Sequence, residues 1–370
     1  MKRSHFLLII FATAFGCTQT YTPPAIAHPA TSLVVEGFID AGPDSTYFDL
    51  THTFPLDSTA IPTPIPELGA TVTIQGTDNS SYPLGEVGGG SYGAQLPTLQ
   101  PNALFRIDIK TTSGKEYASD YVPLVTNPPI DSVNWVRNPG GLNIYANTHS
   151  PTSTNPYFLY DYYETWEFYS AFFATLQYQN GAFVNYSPNT IDSCWKSDNS
   201  TRIILASSTQ LVQNEIYEVP LVSIPVGAQQ LSAKYSILVK QYALTKDAFS
   251  WWSIMQNNTE NIGSIFGVLP TTNAGNIHCL TDSAEQVVGY ISAGNSQSQR
   301  IFITNDQGNP WVYETNCKEV EATLDSALFL YTIGYLPVLF DFGKGLYVMA
   351  PGDCVNCTFS GSNNRPPFWQ

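Results

Sequence analysis

The chain has 370 residues, with 15 Lys or Arg against 30 Asp or Glu and a net charge of −15 at pH 7. So negative a surface repels nucleic acid and anionic headgroups, which excludes nucleic acid as a partner. Only 12% of residues are charged while 13% are aromatic, with 26 Gly and 26 Pro, a balance that favours strands and turns in a chain long enough for two domains.

The sequence opens MKRSHFLLIIFATAFGC. A basic start at Lys2 and Arg3, an apolar run over residues 6–15 and a small Gly16 describe a signal peptide over residues 1–16, too short to span a membrane. Ala14, Phe15, Gly16 and Cys17 form a lipobox, in which cleavage falls before a cysteine whose sulfur carries diacylglycerol. An acylated, palmitate-bearing Cys17 is therefore expected to hold the chain on lipid, since each buried CH₂ contributes roughly 0.8 kcal/mol. Residues 17–31 are polar and proline-rich and read as a tether reaching on the order of 40 Å when extended.

From Ser32 onward short alternating segments follow one another: LVVEGFI (33–39), TYFDLTHTF (46–54), ATVTIQGT (70–77), SYGAQL (91–96), LFRIDIKT (104–111) and EYASDYVPL (116–124). Strands this short, separated by turn residues, predict an antiparallel sandwich of the immunoglobulin or transthyretin type over residues 32–126. In the sixth decade of residues beyond the tether, GGGSYG (88–93) fits the G-x-S-x-G pattern of a nucleophile elbow around Ser91. An elbow needs a helix after its serine, and AQLPTLQP (94–101) carries two prolines. Three glycines before Ser91 fit a hairpin whose residues take positive φ. His28, His52, His149 and His278 are the only imidazoles after Cys17, so no catalytic residue is assigned.

NPPIDSVNW (127–135) marks a boundary, stiffened by Pro128 and Pro129. A second β-rich domain is expected over residues 127–310, so the predicted fold is mainly β, with two tandem antiparallel sandwiches and one short helix in the second. YFLYDYYETWEFYSAFFATLQYQ (157–179) is unusually aromatic. Strand alternation puts Phe158, Tyr160, Tyr162, Glu164, Trp166 and Phe168 on one face and Tyr157, Leu159, Asp161, Tyr163, Thr165 and Glu167 on the other. Aromatic side chains on both faces imply a core on one and a partner or covering segment on the other. Glu164 and Glu167, three apart, point to opposite faces and cannot share a site. The helix is expected near residues 246–258, with Thr245 as its N-cap, Asp247 in its first turn, Ala248, Trp251, Trp252 and Met255 on one face, and Gly263 beyond its end.

Cys194, Cys279, Cys317, Cys354 and Cys357 remain after Cys17. An exported chain with these five is expected to hold one or two disulfides with a sulfur left over, their pairing open. Cys354 and Cys357 have C-x-x-C spacing without a neighbouring histidine, so bridging is preferred to zinc and no metal or other cofactor is expected. Asn305, Asp306, Gln307, Gly308 and Asn309 place oxygens about a glycine but lack an EF-hand's acidic twelfth position, which leaves a hairpin turn. The last 60 residues, 311–370, read as a cysteine-containing segment packed on the second domain.

Taken in order, the lipoprotein start, LVVEGFI, GATVTI, GGGSYG, FRIDIKTTSGKEYAS, PPIDSV, ETWEF, CWKS, YSILVKQYALTKDAFSWW, GNIHC, VVGYISAG with RIFI, and the cysteine pair before PPFW resemble domain of unknown function 4249, outer-membrane lipoproteins of Bacteroidetes. The resemblance implies a two-part β-rich lipoprotein on the outer membrane, an accessory subunit of a TonB-dependent transporter. It carries over no catalytic residue. The alternative expectation is a free-standing surface module for glycan or peptide, with Trp166, Trp195 or Trp369 as stacking platforms.

Overall fold

The computed structural model describes residues 31–54, 64–149, 155–209, 215–260, 275–306 and 308–370. The signal peptide, Cys17, tether residues 17–30 with His28, Gly263 and Gln307 lie outside the described residues.

The first unit is built from β1 (Leu33–Asp40), β2 (Thr46–His52), β3 (Ile65–Pro66), β4 (Thr71–Gly76), β5 (Ser81–Gly88), β6 (Ser91–Ala94), β7 (Leu104–Lys110), β8 (Glu116–Ser119) and β9 (Val122–Val125). The second continues with β10 (Ser132–Asn138), β11 (Gly141–His149), β12 (Tyr157–Tyr169), β13 (Leu176–Gln179), β14 (Ala182–Asn185), β15 (Ser193–Asn199), β16 (Ile204–Ser207), β17 (Glu215–Pro225), β18 (Lys234–Ala243) and α1 (Lys246–Glu260). After these come β19 (Ile277–Cys279), β20 (Ala293–Gly294), β21 (Gln297–Thr304), β22 (Val320–Ala322), α2 (Leu324–Thr332), β23 (Tyr335–Asp341), β24 (Leu346–Pro351) and α3 (Gly352–Val355).

The chain is mainly β, as its composition implies, but the first unit is a closed ring rather than an open sandwich. Its order is β7, β4, β5, β6, β2, β1, β20, β9, returning to β7 through β9. The closing strand is β20, which pairs in parallel with β1 (Ile39 with Ala293, Asp40 with Gly294) and with β9 (Leu124 with Ala293, Val125 with Gly294). A two-residue strand arriving from the far half of the chain leaves no local pattern, which is why the sandwich expectation missed it. The segment 116–124, expected as one strand, breaks at Asp120 and Tyr121 into β8 and β9, and β19 adds to β8.

Alternation explains the ring's filling. In β7 Phe105, Ile107 and Ile109 are buried while Leu104 and Lys110 are exposed, and Leu33, Val35, Ile39, Phe48, Leu50 and Ile74 join them in one core. The glycine stretch is the expected hairpin: Gly88, Gly89 and Gly90 hold φ of 113°, 64° and 84°, and Ser91 begins β6. Closure removes the free sheet edges that otherwise invite aggregation. It also demands close approach, because a Cβ on Gly294 would stand 2.3 Å from the Val125 carbonyl oxygen.

In the second unit a three-stranded sheet (β10, β11, β17) and a five-stranded one (β15, β12, β18, β21, with β16 beside β12) share a core that includes Leu142, Ile144, Phe158, Tyr160, Tyr235 and Ile237. Helix α1 forms where expected, with the Thr245 hydroxyl accepting from the Ala248 amide at 3.2 Å. Two further helices, α2 and α3, were not expected. They belong to a small C-terminal module with the sheet β22, β24, β23; the apolar run ALFLYTIGYLPVLF supplies most of α2 and β23, with no charged residue to divide helix from strand. Cys317 bridges Cys354 within that region, and Cys194 on β15 bridges Cys357. The two C-x-x-C cysteines thus take different partners, and Cys279 is free and buried.

Two measurements check this architecture. Gly294→Val forces β20 from its slot and is expected to destabilise the chain by about 3 kcal/mol in urea titrations, whereas Gly114→Val, whose Cβ position meets nothing, should fall short of that, its cost arising only from its φ of +84°. Removing the Cys317–Cys354 bridge, which closes a loop of sequence separation 37, is expected to cost about 4 kcal/mol in the loop-entropy picture, read as an earlier unfolding step of the C-terminal module.

Candidate functional site: a cleft between ring and sheet

Strand β12 organises the site. Of the face that alternation assigns to the core, Phe158, Tyr160, Glu164, Trp166 and Phe168 are buried, while Tyr162 is half-buried and lines the cleft instead. The strand's outer face has three different neighbours. At one end α1 covers it, with Phe249 packed 4.9 Å from Tyr157. At the other end the C-terminal tail covers it, with Trp369 Nε1 donating to Glu167 Oε2 at 3.4 Å. Between these ends the outer face meets the outer surface of β1 and β2, and a cleft of about 660 Å³ remains.

One wall of the cleft carries Phe38, Tyr47 and Asp49 from the ring, and the other carries Asp161, Tyr163 and Tyr242 from β12 and β18. Trp252 and Tyr290 close one end. Tyr47 is 53% exposed and Tyr163 38%, so rings are open to solvent on both walls. Tyr242 bridges the two units, its ring 4.8 Å from that of Phe38 and its hydroxyl donating to Asp161 Oδ2 at 3.1 Å. Lys240, opposite Asp161 in the strand pairing, sends its ammonium to Asp44 of the ring at 3.2 Å.

Electrostatics distinguish these carboxylates. Burial pushes the Asp161 carboxyl above the usual range, with the Tyr242 hydrogen bond and then Lys240 acting against it. Glu36, paired across β1 and β2 with Asp49, is raised by burial and then by the charge of Asp49. Asp49 itself accepts from the Ser91 hydroxyl. Glu164 on the inner face is also raised by burial, with Tyr235 donating to it at 2.7 Å.

The residues singled out from sequence fall elsewhere. Trp166 is 4% exposed and Trp369 6%, and both are packed: Trp166 Nε1 donates to Gln229 at 3.2 Å, while Trp369 meets Trp195 edge-on at 6.3 Å and Phe302 at 5.6 Å. Of the helix tryptophans, Trp251 is core and Trp252 lines the cleft. Among the described residues His52, His149 and His278 each pair with one carboxylate, Glu67, Asp131 and Asp120, and none bonds Ser91. Described groups of three or more His, Cys, Asp or Glu that could hold a metal are absent. Tyr47, Asp49, Asp161 and Tyr242 were not singled out as site residues. The signal that pointed towards them was the second aromatic face of β12.

The family model described as "Domain of unknown function (DUF4249)" matches residues 18–300, and the chain belongs to that family. The match takes in the ring, both walls of the cleft and α1, and ends within β21. No curated protein matches the chain.

The raised carboxyls have a signed consequence. Asp161 and Glu164 bind protons more tightly folded than unfolded, so each contributes stability that is fully present below its unfolded pKa and lost as pH rises through its folded one. Relative to the unaltered chain, Asp161→Asn and Glu164→Gln should therefore gain stability between about pH 4 and pH 7. Urea midpoints of variant and parent measured across that range check it; parallel curves would contradict it.

Proposed function

We propose that the chain is a non-enzymatic cell-envelope lipoprotein, held on the outer membrane by acylated Cys17 and acting as an accessory binding subunit of a TonB-dependent transporter. The observation that carries the reading is the cleft: open rings and carboxylates at a junction of two units are the features of a ligand site, its Asp49 and Asp161 carboxylates accept from the Ser91 and Tyr242 hydroxyls, and no histidine is among its described lining residues. The proline-rich tether between Cys17 and β1 stands this cleft off the lipid. Support for a protein partner comes from the C-terminal module, where Leu324, Phe329, Ile333 and Phe342 are exposed, Phe342 by 90%; large apolar side chains left in water in such number favour a contact surface.

The tagged chain, purified from crosslinked membranes in mild detergent, is expected to bring down a TonB-dependent receptor in stoichiometric amount, and Cys17→Ala to move to the soluble fraction. Recovery of the lipoprotein alone overturns the partnership, and an unmodified mature N-terminus by mass spectrometry overturns the anchor.

The exposed Tyr47 and Tyr163 favour a second reading, a free-standing surface module that takes glycan or peptide. Glycan-array binding that Tyr163→Ala abolishes without unfolding would select it.

A further inference from the structure

The cleft carries more negative charge than its own cations balance. Asp49 and Asp161 line it, and Glu36 stands directly across from Asp49 on the same outer face, an arrangement of like charges that costs a sheet stability. Among the described residues none of Glu36, Asp49 and Asp161 forms an ion pair. Lys240 is turned to Asp44. Arg300, the next cation on this sheet face, lies 3.7 Å from the Phe368 ring centroid and donates to the Ser236 hydroxyl at 3.0 Å. The upward displacement of the Glu36 and Asp161 carboxyls agrees with charge that is poorly compensated.

Rings accompany these carboxylates. Tyr47 and Tyr163 stand open on opposite walls, and Trp252 closes the end. A sugar hydroxyl can donate to one carboxylate but leaves the net charge where it is. A cation removes that charge, and the electron-rich face of a Tyr or Trp ring attracts it as well.

We propose that this cleft binds an organic cation, an ammonium or guanidinium group on an apolar or aromatic body, with Tyr47, Tyr163 and Trp252 against the body and Asp49 and Asp161 against the charge. The inference rests on the cleft being a binding site and does not depend on the transporter partnership. A free amine and a basic side chain of a peptide share this chemistry.

Calorimetric titration of the full mature chain separates the outcomes. Tryptamine is expected to bind, N-acetyltryptamine, which has the same body without the charge, to bind at least about tenfold more weakly, and Asp49→Asn/Asp161→Asn to weaken tryptamine by about tenfold or more. Glu321→Gln, on the C-terminal module, serves as the unaffected control. Far-ultraviolet circular dichroism establishes that the double variant is folded, and Tyr163→Leu gives a second, charge-neutral variant that should weaken tryptamine and N-acetyltryptamine alike, since it removes a contact to the body they share. The tripeptide Lys-Tyr-Lys binding more tightly than tryptamine would assign the cation to a peptide, and the reverse to a free amine. Equal binding of tryptamine and its N-acetyl form, or unchanged affinity in the double variant, overturns the cation inference and leaves a binding site standing. Failure of all three probes at millimolar concentration overturns it together with the cleft as a site, while the receptor pull-down judges the partnership separately.

Discussion

The backbone of residues 288–294 closes the ring, and the arrangement of the two units follows from that closure. The Val35 amide donates to the Val288 carbonyl at 2.8 Å, Ile39 to Ser292 at 3.0 Å and Ala41 to Gly294 at 2.7 Å. Because these partners lie between α1 and β21, the chain cannot complete its first unit until most of the second has been passed. Side chains lock the seam. Asp40 accepts from the Ser296 amide and hydroxyl, and Asn127 donates to the Gln241 carbonyl at 2.6 Å while accepting from the Gln241 side chain at 2.8 Å. Those polar groups are buried, and buried polar groups persist only when bonded, so the seam has one satisfied geometry. The cleft inherits its walls from it.

The same seam explains how β12 can be aromatic on both faces and remain folded. A sheet with one wet face ordinarily places polar residues there. Here the outer face is divided among α1, the ring and the Trp369 tail, and each division has matching chemistry: Phe249 on Tyr157, Tyr242 on Phe38, Trp369 over Glu167 and beside Trp195. The middle division is incompletely filled. Its unfilled part is where Tyr163 remains open.

How legible this was depended on the range of the interactions. Alternation in LFRIDIKT, the hairpin at Gly88–Gly90, the Thr245 cap and the two-faced character of β12 are properties of neighbouring residues, and the structure agrees with each. Ring closure is different, because Ala293 and Gly294 are too few to show a period and their partners lie more than 160 residues away. Disulfide pairing is equally non-local, so the cysteines suggested bridging but not that Cys354 and Cys357 would take separate partners. The burial of Trp166 and Trp369 has a related cause: the size of a ring is written in the sequence, and whether another segment folds over it is not. Asp161 was visible as a carboxylate on the outer face, yet only the approach of β1 and β2 made that face a wall.

Glu164 and Asp161 show what the position adds to the residue. Both are carboxyls on one strand, three residues apart, both are raised by burial, and each receives a tyrosine hydroxyl, from Tyr235 and Tyr242 respectively. Glu164 is buried, with the Tyr235 hydroxyl and Gln230 bonding it and Asp198 across from it on β15. Asp161 points into a space large enough for a small molecule, with Lys240 drawn aside to Asp44. A fold selected for stability alone would gain by turning Lys240 back or by replacing Asp161 with an amide. Keeping a half-buried carboxylate, a second one at Asp49 and a third facing it at Glu36 is a local cost that the ring and the seam are strong enough to carry, and such a cost is offset when an opposite charge enters the cleft.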